Sequence, residues 1–443
     1  MRKNDRYVVK IEDVGMDGEG IAKVDGQVVF VPFALLDEEV EIQIINTKTK
    51  FAIGKIVNII KQSELRVEPL CPHFFKCGGC DIQHISYEKQ LRFKENSLKN
   101  TLKKVGGIDF KINPIVANDK EFEYRNKVAL PVVNQNGKTQ IGMYRKNSHK
   151  IVEIDNCLIQ EPFVKKLIDI TNKYILENNI VGYDEELHTG ILRHIVARCY
   201  NNKILVTLVS TTKNLKNLNA YAKMLEENFD EFGLELNINN KRTNVIMGNE
   251  TIHILGIDVL NVEEMGVKYS VSNSSFMQVN NYIRNAIYTH VLSLISNSDI
   301  ILDLYSGAGV LTAMLSKKAK EVYGVEIVSS SVENANNLMV LNNITNVTNI
   351  LGDVEVELQK LSKKLNGNFS VVLDPPRKGI SEKVVETLNK TKPQKIIYIS
   401  CNPATLSRDL KNLTQNFDIL SITPFDMFPQ TKHLETVVEL KLK

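Results

Sequence analysis

The spacing of apolar and polar residues changes character three times along this chain. Up to about residue 60 the apolar positions come in short runs with some alternation and many β-branched side chains. Tyr7 to Val14, Gly20 to Val31, Glu39 to Asn46 and Phe51 to Ile60 read as strands, punctuated by Gly15, Gly18, Gly20, Asp25-Gly26 and Pro32. Regularly spaced short strands of this kind predict a five-stranded barrel, a fold much used for oligonucleotides and also for purely structural roles. Residues 84–105 read as a long, basic, amphipathic helix whose charges suit a solvated face. From about 120 to 265 strands and helices alternate, with one hairpin around Asn136-Gly137 and another joining HTGILRHIVARCY to KILVTLVS. From 266 to 443 the alternation becomes regular, the pattern of a parallel, doubly wound sheet. The predicted organisation is a β-barrel over 1–60, an α+β domain over 61–265 and an α/β domain over 266–443.

The most informative stretch is Lys395 to Leu413, KIIYISCNPATLSRDLKNL. Ile396 to Ile399 is an apolar run typical of a fully buried strand. Asn402-Pro403 is a helix start, and Leu406, Leu410 and Leu413 then recur at helical spacing. Cys401 therefore lies between a strand end and a helix N-terminus. Ligands bind at strand C-termini in open α/β sheets, and the positive end of a helix favours a thiolate. Cys401 is a candidate nucleophile. A small buried hydrophobe is the plainer alternative.

Composition limits the partners. The 55 basic and 52 acidic residues leave a net charge of +3, which does not describe a bulk nucleic-acid binder, so RNA contact has to come from local patches such as KNTLKK at 99–104. Arg125, Lys127, Arg145, Lys146, Arg193 and Arg198 alternate with Tyr124 and Tyr144 on the predicted strands of the middle region. That mixture suits single-stranded RNA, and solvated strand faces explain it equally well. No segment has the length and apolarity of a membrane span, and the N-terminus lacks a signal-peptide core. The expected location is the cytoplasm, with no membrane partner and no obligate protein partner. There the six cysteines are thiols, metal ligands or catalytic groups.

Cys71, Cys77 and Cys80 fall within ten residues around Gly78-Gly79, with Cys157 downstream. Four thiolates suit zinc or an iron–sulfur cluster. A single CxxC with a remote fourth cysteine points toward iron–sulfur, though both metals accept four sulfurs. Cys199 reads as core. In the last region the strand DIILDLY runs into Ser306-Gly307-Ala308-Gly309, and Glu326 ends the next strand, where a carboxylate can accept hydrogen bonds from ribose hydroxyls. Asp353 ends the strand after that. Thr312 stands where a dinucleotide fingerprint has a further glycine, so S-adenosylmethionine fits better than NAD. Asp374 opens a stiff DPPRKG loop whose Arg377 and Lys378 suit phosphate. Glu435 stands at the entrance of a final strand, LETVVELKL.

Together these motifs resemble the family of RNA (uracil-5-)-methyltransferases, and within it the 23S ribosomal RNA type. The resemblance spans essentially the whole chain: an N-terminal segment similar to a TRAM domain, the four cysteines, FMQVN at 276–280, DLYSGAG, GVEI, LDPPRKG, SCNPATLSRDL and HLETVVEL. DPPR, SCNPATLSRDL and HLET in this order are highly specific; the glycine motif alone is not. The resemblance implies a Rossmann-like methyltransferase domain, a [4Fe-4S] cluster on Cys71, Cys77, Cys80 and Cys157, Cys401 as nucleophile and Glu435 as general base. It also implies S-adenosylmethionine contacts from Gln278, Tyr305, Glu326 and Asp374. Where some members carry Asn after the glycines this chain has Val310, so no side-chain contact is assigned there. The related tRNA enzymes are expected to lack the barrel and the cluster, which points to ribosomal RNA. The same reaction on tRNA, a non-catalytic iron–sulfur RNA-binding protein, an iron–sulfur NAD oxidoreductase and a cytosine-5 methyltransferase are the alternatives.

Overall fold

A computed structural model describes residues 1–443 apart from 16–17, 136, 296–297 and 366–368. The N-terminal strands are β1 (Arg6–Lys10), β2 (Asp13–Val14), β3 (Gly20–Val24), β4 (Gln27–Val31), β5 (Glu39–Thr47) and β6 (Phe51–Lys61). They form one sheet in the order β1-β5-β6-β4-β3-β2, around a core that includes Ile11, Val29, Ile42 and Ala52. The sheet has six strands, not the five predicted. The run from Tyr7 changes partner at Ile11: β1 pairs with β5, whereas β2 pairs with β3. Asp25 and Gly26, both at positive φ, turn β3 into β4. A buried carboxylate, Glu38, ties this unit to the following linker, accepting from Arg66 Nε at 2.5 Å while Arg66 Nη2 donates to Phe33 O at 2.6 Å.

The basic helix is α1 (Tyr87–Thr101), and one π-helical turn extends it to Gly106. Its outer face is solvated as expected, yet Gln90, Lys94, Leu98 and Thr101 are buried. Leu98 and Leu102 share a core with Leu406 and Leu410, so α1 packs on the C-terminal sheet.

The middle region forms a second sheet from β7 (Lys127–Gln135), β8 (Lys138–Tyr144), β9 (Ile151–Glu153), β10 (Leu192–Tyr200), β11 (Lys203–Ser210), β12 (Glu231–Ile238) and β13 (Glu250–Gly256), in the order β13-β12-β11-β10-β7-β8-β9. Helices α2 (Phe163–Asn178) and α3 (Leu218–Glu226) cover its core, and Cys199 is buried there. β7 and β8 pair as the predicted hairpin; Asn136 in its turn lies outside the described residues. Asn201 and Asn202, both at positive φ, make the second hairpin turn. Several basic residues predicted for an RNA surface are instead internal. Arg193 and Arg198 are buried, donating to the carbonyls of Asn239 and Ser275, and Lys127 donates to Asn273 O at 2.6 Å. Tyr124 is buried as well, whereas Arg145 and Lys146 remain exposed. These strands are covered on both faces, which a period-two pattern does not reveal.

After a small hairpin, β14 (Leu260–Glu264) and β15 (Val267–Val271), comes α4 (Asn281–Leu294) and the regular α/β region. Its strands are β16 (Ser298–Leu304), β17 (Ala319–Glu326), β18 (Val347–Leu351), β19 (Ser370–Leu373), β20 (Lys395–Ser400), β21 (Phe417–Phe425) and β22 (Glu435–Leu442). Its helices are α5 (Val310–Leu315), α6 (Ser329–Leu341), α7 (Val354–Leu365), α8 (Glu382–Thr391) and α9 (Pro403–Leu413). The sheet order is β18-β17-β16-β19-β20-β22-β21, parallel except for β22, which runs antiparallel to both neighbours. From β16 the chain winds first toward β18 and then back through β19 to β20. That reversal opens a crevice at the strand C-termini beside β16 and β19. Among the described residues no helix is long and apolar enough to cross a membrane.

Candidate active site

Every sequence-predicted site residue of the α/β region except Gln278 stands at or next to an end of one of these strands. Tyr305 directly follows β16, and its φ of 66° is unusual for a bulky side chain. Its N–H is held by Val325 O at 2.9 Å, which keeps the turn in this conformation. The two glycines of the turn do different work. Gly307, at φ 55°, faces open space, with nothing within 4 Å of where a Cβ would stand. At Gly309 a Cβ would lie 2.7 Å from Ala335 Cβ, so this glycine serves helix packing between α5 and α6. Glu326 ends β17; Oε2 accepts from Gly307 N at 3.1 Å and Oε1 from Val328 N at 2.8 Å. Both oxygens keep further lone pairs for a diol. Gln278 lies on the strap before α4, where Asn280 caps the helix and also donates to Met427 O at 3.0 Å. Gln278 Oε1 is buried and has no protein partner, as expected of a group awaiting a ligand. No hydrogen bond joins Gln278 to the other candidates.

Cys401, Glu435 and Asp374 come together. In the β20–β22 ladder Ser400 pairs with Thr436, so the next rung sets Cys401 beside Glu435. Asp374 follows β19, with its N–H on Leu304 O at 3.3 Å. Burial above all, then the Asp374 charge, holds the Glu435 carboxyl well above the usual carboxylate range. Burial and then Asp303 push Asp374 up to about 7. Cys401 does not have the lowered pKa predicted from helix proximity. Burial and then Glu435 push the thiol up to about 11, with Arg377 pulling it down and Asp374 adding to the rise. The helix cap is Asn402, whose side chain accepts from Ala404 N at 3.0 Å, so the thiol stands one residue outside the first turn. There burial, with two carboxyls beside it, outweighs the helix end. Arg377 is kept close because Asn402 Nδ2 and Thr405 Oγ1 both donate to its carbonyl.

Sequence reasoning missed Asp303. It lies within the apolar β16 run, 1% exposed, and accepts from Thr312 Oγ1 at 2.5 Å. A carboxylate inside a buried strand was the available clue. Thr312, read only as a missing glycine, thus ties down a buried acid.

Cys71, Cys77, Cys80 and Cys157 line one small cavity with Phe74, Met143, Leu158 and Ile159. Gly79 N donates to Cys77 Sγ at 3.3 Å and Gln83 Nε2 to Cys80 Sγ at 3.4 Å. Burial raises the Cys77 and Cys80 thiols and pushes Cys157 up to about 11. Among the described residues no three or more His, Cys, Asp or Glu side chains form a metal-holding group. The four sulfurs nevertheless converge on one apolar space.

Comparison with known proteins agrees with this geometry. The sequence profile of the tRNA (uracil-5-)-methyltransferase family matches residues 86–443, and that of the TRAM domain residues 2–57. An uncharacterized RNA methyltransferase of Clostridium acetobutylicum is 39% identical, the match covering 100% of this chain and 98% of that protein. One of Clostridium tetani is 38% identical over 99% and 96%. The crystal structure of the Pyrococcus abyssi tRNA (uracil-54, C5)-methyltransferase with S-adenosyl-L-homocysteine superposes with a TM-score of 0.80 at 28% identity, covering 98% of this chain and 99% of that one. A tRNA enzyme can therefore match this chain from barrel to final strand, and the barrel ceases to be an argument for ribosomal RNA. The chain belongs to the tRNA (uracil-5-)-methyltransferase family and is an S-adenosylmethionine-dependent RNA (uracil-5-)-methyltransferase carrying an N-terminal TRAM domain.

Proposed function

We propose that Cys401 is the nucleophile and Glu435 the base in methylation of a uridine C5 in 23S ribosomal RNA. The observation that carries the assignment is their placement opposite each other one rung beyond the Ser400–Thr436 pair of β20 and β22, near Asp374 and Arg377. Uracil C5 is a weak nucleophile. Addition of sulfur to C6 makes the ring an enolate and C5 reactive, splitting one hard step into easier ones. The Cys401 proton is released to solvent as the C–S bond forms, and Arg377, which pulls the thiol pKa down, favours the thiolate. S-adenosylmethionine, when bound, supplies the methyl group and a positive charge that draws nearby thiol and carboxyl pKa values down. Gln278, Tyr305, Glu326 and Asp374 would hold it, with Glu326 toward the ribose and Gln278 Oε1 supplying an unused acceptor. Glu435, whose carboxyl burial and Asp374 hold above the ordinary range, is a stronger base than an exposed carboxylate once ionised, and takes the C5 proton. Cys401 leaves by elimination and C5–C6 unsaturation returns. Positioned proton transfer of this kind contributes roughly 10²–10⁴-fold. The uridine must be unstacked to reach the crevice.

Cys71, Cys77, Cys80 and Cys157 fit a [4Fe-4S] cluster as four soft donors in an apolar pocket, with N–H groups aimed at two of the sulfurs. Its contribution is structural or RNA-contacting, because the methyl transfer requires no electron. Methylation of transfer RNA is the second reading, favoured by the likeness to the Pyrococcus abyssi tRNA enzyme.

Methyl-labelled S-adenosylmethionine, offered with unmodified 23S rRNA or tRNA transcripts, tests both readings. Label in 5-methyluridine of 23S rRNA, absent in Cys401→Ala, is expected. Glu435→Gln should trap a labelled RNA–protein adduct stable to denaturing electrophoresis. Undiminished 5-methyluridine from Cys401→Ala would end the assignment, and label confined to tRNA would replace the ribosomal reading.

A further inference from the structure

The segment from Asp426 to Leu434 delivers Glu435 to the site and has no regular secondary structure. Asp426, Met427, Gln430, Thr431 and Leu434 are nonetheless buried. Four consecutive carbonyls in it are each taken by a donor from a different part of the chain. Asn280 Nδ2 donates to Met427 O at 3.0 Å, and Lys94 Nζ to Phe428 O at 3.0 Å. Tyr124 OH donates to Pro429 O at 2.9 Å. Asp81 N and Ile82 N both donate to Gln430 O, each at 3.1 Å. Asp426 is held by Lys94 and by Tyr87 OH. The side chain of Gln430 closes a reciprocal pair with Gln90 of α1. Gln90 Nε2 donates to Gln430 Oε1 at 2.8 Å, and Gln430 N donates to Gln90 Oε1 at 3.1 Å. Gln430 keeps a φ of 68°, the left-handed region.

Buried carbonyls need partners in any fold. The choice of partners is what singles this segment out. Asp81 and Ile82 directly follow Cys80 of the cysteine loop. Asn280 belongs to the strap that carries Gln278. Gln90 and Lys94 belong to a helix whose buried stripe is polar where a purely structural helix would be apolar. All of them converge within nine residues of Glu435, whose own backbone pairing with Phe425 closes the same loop.

We propose that Gln90 and Gln430 are positioning residues for removal of the C5 proton. Through them, α1 and the turn after Cys80 brace the Asp426–Leu434 segment and set the aim of Glu435. This rests on Glu435 being the base. Nucleophilic addition and methyl transfer do not pass through the Gln90–Gln430 bonds, because Cys401 is held by β20 and α9, and α1 with its π-helical turn meets α9 through Leu98 and Leu102 rather than through Gln90. A loosened brace therefore slows proton removal alone and lets the methylated RNA–Cys401 adduct build up.

The test uses the full-length enzyme, labelled S-adenosylmethionine and the RNA that accepts label, with Gln90→Ala, Gln430→Gly and Glu435→Gln measured together. Glycine keeps the φ of position 430 while removing its side chain. The expected result is that both glutamine variants form labelled adduct as fast as wild type but release 5-methyluridine about tenfold more slowly, the worth of one or two hydrogen bonds. Gln90→Glu, which keeps the acceptor for Gln430 N, should recover part of the release rate. Wild-type release in both variants, or slower adduct formation with no accumulation, overturns the brace while leaving Glu435 in place. Absence of adduct in Glu435→Gln removes the base assignment and the brace with it.

Discussion

At Asp303 the site costs the fold stability. It is 1% exposed and accepts one hydrogen bond, from Thr312. Burial above all lifts its carboxyl from an ordinary 3.8 to about 7, against the pull of Thr312 and with help from Glu326. A raised pKa means that the folded chain holds this proton more tightly than the unfolded chain does. The stabilisation is complete below the ordinary carboxylate range and is lost as pH rises through about 7. Carried through, a rise of that size makes folding on the order of 4 kcal/mol less favourable at pH 8 than at the acid limit, and about 1.5 kcal/mol less favourable at pH 5. Asp303→Asn keeps an acceptor for Thr312 and removes the charge. Relative to wild type the variant should gain roughly 2–3 kcal/mol between pH 5 and pH 8, which widens the Tm difference by about 2–3 °C for a chain of 443 residues. Scanning calorimetry at the two pH values is the assay, the chain having no Trp to report by fluorescence. Wild-type and variant Tm values that run parallel with pH would refute the reasoning. Since the Asp303 charge also raises Asp374, the variant should let Asp374 ionise at lower pH, trading activity for stability.

Two further outcomes follow from the same geometry. With the Cys401 thiol pushed up to about 11, peptide-resolved alkylation of the free enzyme at this residue should accelerate about tenfold per pH unit from pH 7 to 9; Arg377→Ala should slow it throughout, and a plateau near pH 8 would contradict the raised pKa. Arg66→Ala strands the buried Glu38 carboxylate, at about 3–5 kcal/mol. Limited proteolysis should then cut between residues 62 and 70 and free the N-terminal sheet, and a linker as resistant as wild type would show that Glu38 does not anchor it.

The features legible in the sequence are those whose chemistry is fixed locally. Asn402-Pro403 specifies a helix start wherever it lies, and a four-residue apolar run before it leaves Cys401 no place but a strand end. The same logic found Glu326, Asp374 and the TRAM-type strands. What escaped depends on long-range partners. The thiol pKa follows from burial first and then from the carboxyls of Glu435 and Asp374, which no local pattern reports. Arg193 and Arg198 looked like an RNA face because alternation does not say whether the polar side of a strand meets water or buried carbonyls. Lys94, one more charge on a basic helix, turned out to be fully buried against Asp426. The first strand of the barrel was read through its break because Ile11 and Glu12 change partners without changing composition.

The position of β22 between β20 and β21 carries a consequence for synthesis. β21 emerges before β22 and pairs with no other strand of its sheet. Its apolar run from Ile419 to Phe425, met on its outer side by residues 113–116, must wait for its inner partner until Glu435–Leu442 has been made and inserted. The crevice is thus closed by the insertion of a middle strand, late in folding. A nascent chain halted before Glu435 presents Cys401 just past β20 beside an open ladder, with the proposed nucleophile in place and no acid opposite it. Such a chain is prone to pair with the wrong strand.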